Sequence, residues 1–420
     1  MIRLVLIFSQ QLSRGYASAD RDLLMSHLDK KETESHIYWI DGARGLCAFA
    51  VILGHLRQIL FTEFGHEPTG LLSLIYRLAW RASAYSHKAV IIFFVLSVYL
   101  VGGYYIKKII NRIDSPIDYI SARVARIYTV LIPGLIFTFV AMSCSINLFE
   151  GQRLLQSTPA FFPQYMLSEN TFTPWVATCN LIALQTIYCH QYGLNLSLWS
   201  LSNECLYYIF FFCFANSFKH RFYALPTIAV VAVMLLPAAA YADIDRSIIY
   251  FMGLGIWLTG TLALVVSELP LHKPFSILIS LAALCIAVLS EIYAFNFHLA
   301  DFAFGVQAAC ILIIINILKP SPYLVKHWLV QVIAGMSYSL YVIHLPIMIL
   351  LLSIFGLYEL EKNWTSLIES IAIIIFVLFW TYGFHQLTEK HTGLVRQKLR
   401  NWLEAALLRV RTRRFASAGK

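Results

Sequence analysis

The sequence predicts an all-α, polytopic bundle of about ten transmembrane helices with both termini in the cytoplasm, and three observations lead there. Hydrophobic residues fill 59% of the 420 positions and charged residues only 13%, a balance typical of membrane proteins and foreign to water-soluble enzymes. Apolar runs near the roughly 20 residues needed to cross a hydrocarbon core recur ten times. When the intervening loops are assigned alternately to two sides, Lys and Arg concentrate on one side, as positive-inside orientation requires. That side receives Lys30, Lys31, Lys107, Lys108, Arg112, Arg123, Arg126, Lys219, Arg221, Lys273, Lys319, Lys326 and the arginine-rich tail. The other receives Arg77, Arg81, Lys88, Arg153, Arg246 and Lys362 among several acids. Dropping one span would place basic loops outside, so the even count and the orientation support each other.

Taken in order, residues 1–37 read as a cytoplasmic, partly disordered extension. Its short apolar run, Leu4 to Phe8, is briefer than the core of a signal peptide. The membrane domain is expected over 38–392, with spans near 44–63, 89–106, 127–149, 198–215, 222–241, 247–266, 275–291, 299–318, 332–355 and 366–385. Residues 64–88 and 150–197 are the long external loops, the second read as a loop or re-entrant cap. Cys179 and Cys189 fall together in it, where an oxidising compartment would permit a disulfide. Residues 393–420 form a basic cytoplasmic tail. The excess of 32 Lys and Arg over 23 Asp and Glu is accounted for by orientation, so nucleic acid is not an expected partner. The lipid bilayer is.

Ionisable groups inside spans are costly and mark function by default. Arg44 and His55 lie eleven residues apart in the first span, roughly three helical turns or about 16 Å, and therefore share a face. Glu204 sits about 9 Å below the outer face on the same reckoning, which brings it to the level of His55 and His344. A carboxylate beside an imidazole makes a general base, so His55, Arg44 and Glu204 are the candidate catalytic residues. Arg123 and Arg126, three apart, can clamp phosphates of a donor. Trp199-Ser200-Leu201-Ser202-Asn203-Glu204 is too polar for a lipid-facing turn, and Ser337-Tyr338-Ser339-Leu340-Tyr341 leads into His344 in the same manner. Plainer readings stand beside these. His55 can serve as an interhelical hydrogen bonder, the arginine pair as flanking positive charge, and Ser337 and Ser339 as small packing residues. A transporter or flippase for a small solute or lipid-linked sugar would use the same buried groups as a proton and substrate path.

In this order the motifs resemble acyltransferase family 3 of integral membrane proteins. The resemblance rests on Asp41-Gly-Ala-Arg44 with His55, Phe93-Phe94-Val95-Leu96-Ser97, Arg123-x-x-Arg126-Ile127-Tyr128, Trp199 to Tyr207, Ser337 to His344, and Tyr382 with Glu389. It covers roughly 38–392. Val98, Ala89 and Pro133 depart from it, as does Glu389-Lys390-His391 at its end. The resemblance implies O-acyl transfer from cytoplasmic acyl-CoA, most simply acetyl-CoA, to an extracytoplasmic carbohydrate or glycolipid. It makes Arg123, Arg126, Ser97 and Tyr128 donor-binding, and Trp199, Ser200, Tyr338 and His344 substrate-binding. No metal and no tightly bound cofactor are expected, and the expected location is a bacterial inner membrane. Trp80, Tyr85, Trp175 and Tyr188 in the external loops are candidates for stacking on sugars.

Overall fold

The computed structural model describes the backbone over 19–61, 68–110, 115–157, 171–218, 220–241, 244–267, 272–294, 296–323, 325–358 and 360–418. Its side chains are described over 38–61, 68–101, 105, 115–157, 171–218, 220–239, 245–267, 272–294, 296–323, 325–358 and 360–409. The readings of Leu4 to Phe8, Arg112 and Lys219 lie outside these residues, as do the side chains of Lys30, Lys31, Lys107 and Lys108.

Ten stretches of helix among the described residues are long and apolar enough to cross a membrane, and no strand is found there. The helices are α1 (Ala19–Leu60), α2 (Gly70–Ala84), α3 (Ser86–Ile110), α4 (Pro116–Leu148), α5 (Gly151–Ser157), α6 (Pro174–Leu181), α7 (Trp199–Ser217), α8 (Ala224–Tyr241) and α9 (Ile244–Ser267). They continue with α10 (Lys273–Ile292), α11 (Phe297–Leu318), α12 (Trp328–Gly335), α13 (Ser337–Phe355), α14 (Trp364–Leu387) and α15 (Thr392–Ala418).

Several boundaries differ from the sequence reading. The first helix starts at Ala19, inside the segment read as partly disordered. Residues 64–88, read as a loop, contain α2, an amphipathic helix that buries Leu72 and Tyr76 while exposing Leu71, Leu74 and Leu78. Arg77 and Arg81 interrupt its apolar run, which hides it from a search for uniform hydrophobicity. The third span begins eleven residues early because Ser115 accepts the Asp118 N–H at 3.3 Å and Pro116 opens the helix, a favoured N-terminal pair. Arg123 and Arg126 therefore ride on α4 itself. The tail is helical as α15, fastened to the first turn of α4 by Arg400 and Asp118 at 3.0 Å.

The most enclosed element is α13, buried without interruption over 342–349 and packed against α1, α4 and α14. Gly134 lets α4 come this close, since a Cβ there would stand 2.5 Å from Val342 Cγ1. Also packed on α1, α3 rests on α9, where Gly260 faces Val95 and Val98. Val98, larger than the residue the family resemblance leads one to expect, is wholly buried in the space that Gly260 leaves.

Pro346 inside α13 has no N–H to offer the Val342 carbonyl one turn back. Asn195 fills the gap, its Nδ2 donating to Val342 O at 2.8 Å. The segment carrying Asn195 is compact. A disulfide joins Cys179 and Cys189, Asn180 donates to Val176 O and His190 O at 2.9 Å each, and Gln185 donates to Leu198 O at 2.9 Å. Buried polar groups that satisfy one another in this way give a loop one conformation.

The α10–α11 hairpin is attached to α3 through ionic contacts: Lys88 pairs with Glu291, which also accepts from Gln307 at 2.6 Å, and His87 meets Asp301 at 2.8 Å. Lys88→Ala is expected to destabilise the protein by about 0.5–1 kcal/mol, because the partly exposed Glu291 loses its cation and keeps Gln307. Thermal unfolding in detergent should show the loss, and adding Glu291→Gln to the same chain should recover part of it.

Candidate active site

A cavity of about 380 Å³ opens among α1, α3, α4, α7, α13 and the start of α15. Each helix contributes one stripe. From α3 come Val90, Phe93, Phe94, Ser97, Leu100 and Val101, spaced as one helical face. Ser200, Leu201, Glu204 and Tyr208 come from α7 at intervals of three and four, and Arg123, Arg126 and Ile127 do the same on α4. One part of the wall is therefore aliphatic and aromatic, and another carries Arg44, Arg123, Arg126 and Arg396.

The arginines differ in what holds them. Arg44 donates to Asp41 at 3.1 Å and to Ser337 Oγ at 3.0 Å. Arg126 is bound by Glu389 at 2.6 Å and lies over the Tyr338 ring at 5.0 Å. The other oxygen of Glu389 accepts from the Ser339 N–H at 2.9 Å and its hydroxyl at 2.8 Å, so this buried carboxylate joins the end of α14 to α4 and α13. Arg123 stacks on Tyr208 at 5.3 Å, and its Nε is buried with no hydrogen-bond partner among the described residues. Glu204 accepts from Ser97 at 2.6 Å and from Tyr208.

The two histidines meet. Nδ1 of His55 lies 2.8 Å from Nε2 of His344, and Nδ1 of His344 lies 2.8 Å from the Leu340 carbonyl oxygen. A carbonyl only accepts, so the network assigns the proton of His344 to Nδ1 and the lone pair to Nε2. His55 must then donate from its own Nδ1, which leaves its Nε2 with the lone pair. A neutral imidazole in this tautomer can accept a proton at Nε2.

The sequence reading set Glu204 at the level of His55; in the structure His55 meets His344, and Glu204 meets Ser97 and Tyr208. The depth estimate gave both residues the same height but no bearing around the bundle. Glu204 faces Ser97 on α3, whereas α13, packed directly on α1, delivers His344. The histidines are also absent from the described cavity lining. Between them and the cavity stand Tyr341, whose ring is 6.3 Å from that of His344, and Phe93, 6.1 Å from Tyr341. Tyr341 is fixed by a 2.6 Å hydrogen bond to Ser200.

Among the other candidates, Arg44, Ser97, Arg123, Arg126, Ser200, Glu204 and Tyr338 line the cavity together. Tyr128 and Trp199 do not line it; both pack on the core beside it, Trp199 edge-on to Phe94 at 6.3 Å. Of the aromatics considered for sugar stacking, Tyr85, Trp175 and Tyr188 are exposed, while Trp80 lies under Arg57 at 4.4 Å and Lys362 at 4.8 Å. Sequence reasoning assigned no role to Glu389, Tyr341, Asn195 or Arg396. For Glu389 a signal existed, a carboxylate just past the last apolar run beside Lys390 and His391.

The family model described as an acyltransferase domain matches residues 37–386. No curated protein and no solved structure matches the chain.

Proposed function

Because the chain belongs to acyltransferase family 3 and is thus a membrane acyltransferase, we propose that it moves an acyl group, most simply acetyl, from acyl-CoA to a hydroxyl of an extracytoplasmic carbohydrate or glycolipid. The observation that carries this reading is the His55–His344–Leu340 hydrogen-bond chain, set one aromatic layer behind an arginine-lined cavity. The cavity takes the donor from the cytoplasmic side, its arginines facing the phosphates and Ser97 and Tyr338 flanking the thioester arm. The acyl carbon reaches His55 past Phe93 and Tyr341. There the Nε2 of His55 takes the proton of the acceptor hydroxyl as its oxygen attacks the thioester carbonyl. A C–O bond forms, the C–S bond breaks, and the departing thiolate recovers the proton from the imidazolium. Glu204 shapes the cavity wall through Ser97 and Tyr208. The setting is a bacterial inner membrane, with both termini in the cytoplasm.

Purified protein in lipid nanodiscs, given labelled acetyl-CoA and a panel of glycans, should produce labelled glycan and free CoA in a manner dependent on Arg44 and His55. Solute flux without CoA release would replace this reading with a transporter.

His344 acts through His55 and is a positioning residue. His344→Ala is expected to lower kcat by about 10²-fold with little change in donor KM, the size of effect that misplacing a catalytic group produces. His344→Gln, whose amide oxygen can accept from His55 Nδ1, should recover part of the loss.

A further inference from the structure

Four arginines line the cavity, and two of them already have anchors within the protein: Arg44 with Asp41 and Ser337, Arg126 with Glu389. Arg123 and Arg396 pair with no carboxylate among the described residues, and the buried Nε of Arg123 lacks any described partner. Arg396 lies on α15, past residue 386, where the family match ends.

The position of Arg396 follows from a contact one turn away. Arg400 pairs with Asp118 at 3.0 Å, and Thr392 donates to Glu389 O at 2.7 Å, so α15 is held at both ends of the stretch that meets the cavity. Four residues before Arg400 stands Arg396, and four after Asp118 stands Ala122, next to Arg123; all three line the cavity. One helical turn along each helix from the Arg400–Asp118 bond, Arg123 and Arg396 both enter the cavity lining, and neither is paired with a carboxylate among the described residues. Gly393, also in the lining, offers backbone without a side chain. Guanidinium forks match phosphate oxygens bidentately, and two of them unneutralised in a cavity lining favour an anionic ligand with several such oxygens.

We propose that Arg123 and Arg396 together grip the nucleotide phosphates of the donor, so that α15 completes the donor site and Arg126 supports it by holding Glu389. This rests on the reading of the donor as acyl-CoA. The phosphate grip then lies partly in a helix outside the stretch that the family model matches.

The test uses the full-length protein in nanodiscs and compares binding of CoA with that of pantetheine, which lacks the nucleotide phosphates, both by displacement of labelled CoA. Arg396→Gln should weaken CoA binding about tenfold and leave pantetheine binding unchanged. Arg396→Lys should lose less, and Lys398→Gln, an exposed base on the same helix, should lose nothing. An unchanged Arg396→Gln variant, or equal losses in Arg396→Gln and Lys398→Gln, overturns the clamp and leaves the donor reading standing. So does wild-type protein that binds pantetheine as tightly as CoA. Wild-type protein that takes up no labelled CoA overturns the donor reading and the clamp with it.

Discussion

His55→Ala is expected to lower acyl transfer by about 10³-fold, within the 10²–10⁴-fold range of general base catalysis, without removing the protein from the membrane. The expectation follows from the direction of the hydrogen bonds. His344 commits Nδ1 to Leu340 and turns Nε2 towards His55, and it is fully buried, so it has no nitrogen left for an acceptor hydroxyl. His55 donates to His344 from Nδ1 and so carries its lone pair on Nε2, the ring nitrogen turned away from that bond. The measurement is glycan acylation in nanodiscs at matched protein levels, with membrane insertion checked separately. Acylation that persists at wild-type rate in His55→Ala would remove this histidine from the mechanism. In the double variant His55→Ala/His344→Ala, the second substitution should add little, because residues that act as a unit are not additive.

Glu389→Ala is expected to cost about 2–3 kcal/mol of stability, the largest loss of any single substitution considered. Removing one partner of a buried ion pair costs roughly 3–5 kcal/mol, and the partial exposure of Arg126 (32%) against the 4% of Glu389 moves the value below that range. Three groups lose their acceptor at once: the Arg126 guanidinium, the Ser339 N–H and the Ser339 hydroxyl. Glu389→Gln keeps an oxygen for Ser339 but no charge for Arg126, and should fall between wild type and Ala. Thermal unfolding in detergent orders the three proteins; a Glu389→Ala midpoint equal to wild type would mean that this junction contributes nothing to stability.

How far each feature could be read from the sequence depends on its physical origin. Span number is legible because burial in hydrocarbon imposes length and apolarity on every helix, whatever its neighbours. Helix starts are legible only where the cap is sought, as with Ser115 and Pro116. An amphipathic helix such as α2 is lost when the search is for uniform hydrophobicity, although Leu72 and Tyr76 recur at the right interval. The grouping of Arg44, Ser97, Arg123, Arg126, Ser200, Glu204 and Tyr338 around one cavity came out of motif order and of charges placed where lipid would reject them. The partner of His55 did not. Spacing along a chain gives the height of a residue in a membrane, whereas which helices are neighbours is decided by close approaches such as Gly134 on Val342 and Gly260 on Val95, and nothing in a one-dimensional pattern orders helices around a bundle.

The contact between Asn195 and Val342 has a meaning for how the chain is made. The carbonyl that Pro346 leaves open has no water to turn to within a bilayer, and the donor that closes it lies 147 residues earlier in the chain. The ninth span thus has its backbone satisfied only against a segment made before it. One helix of the second half of the polypeptide therefore owes part of its integrity to a side chain that the first half supplies.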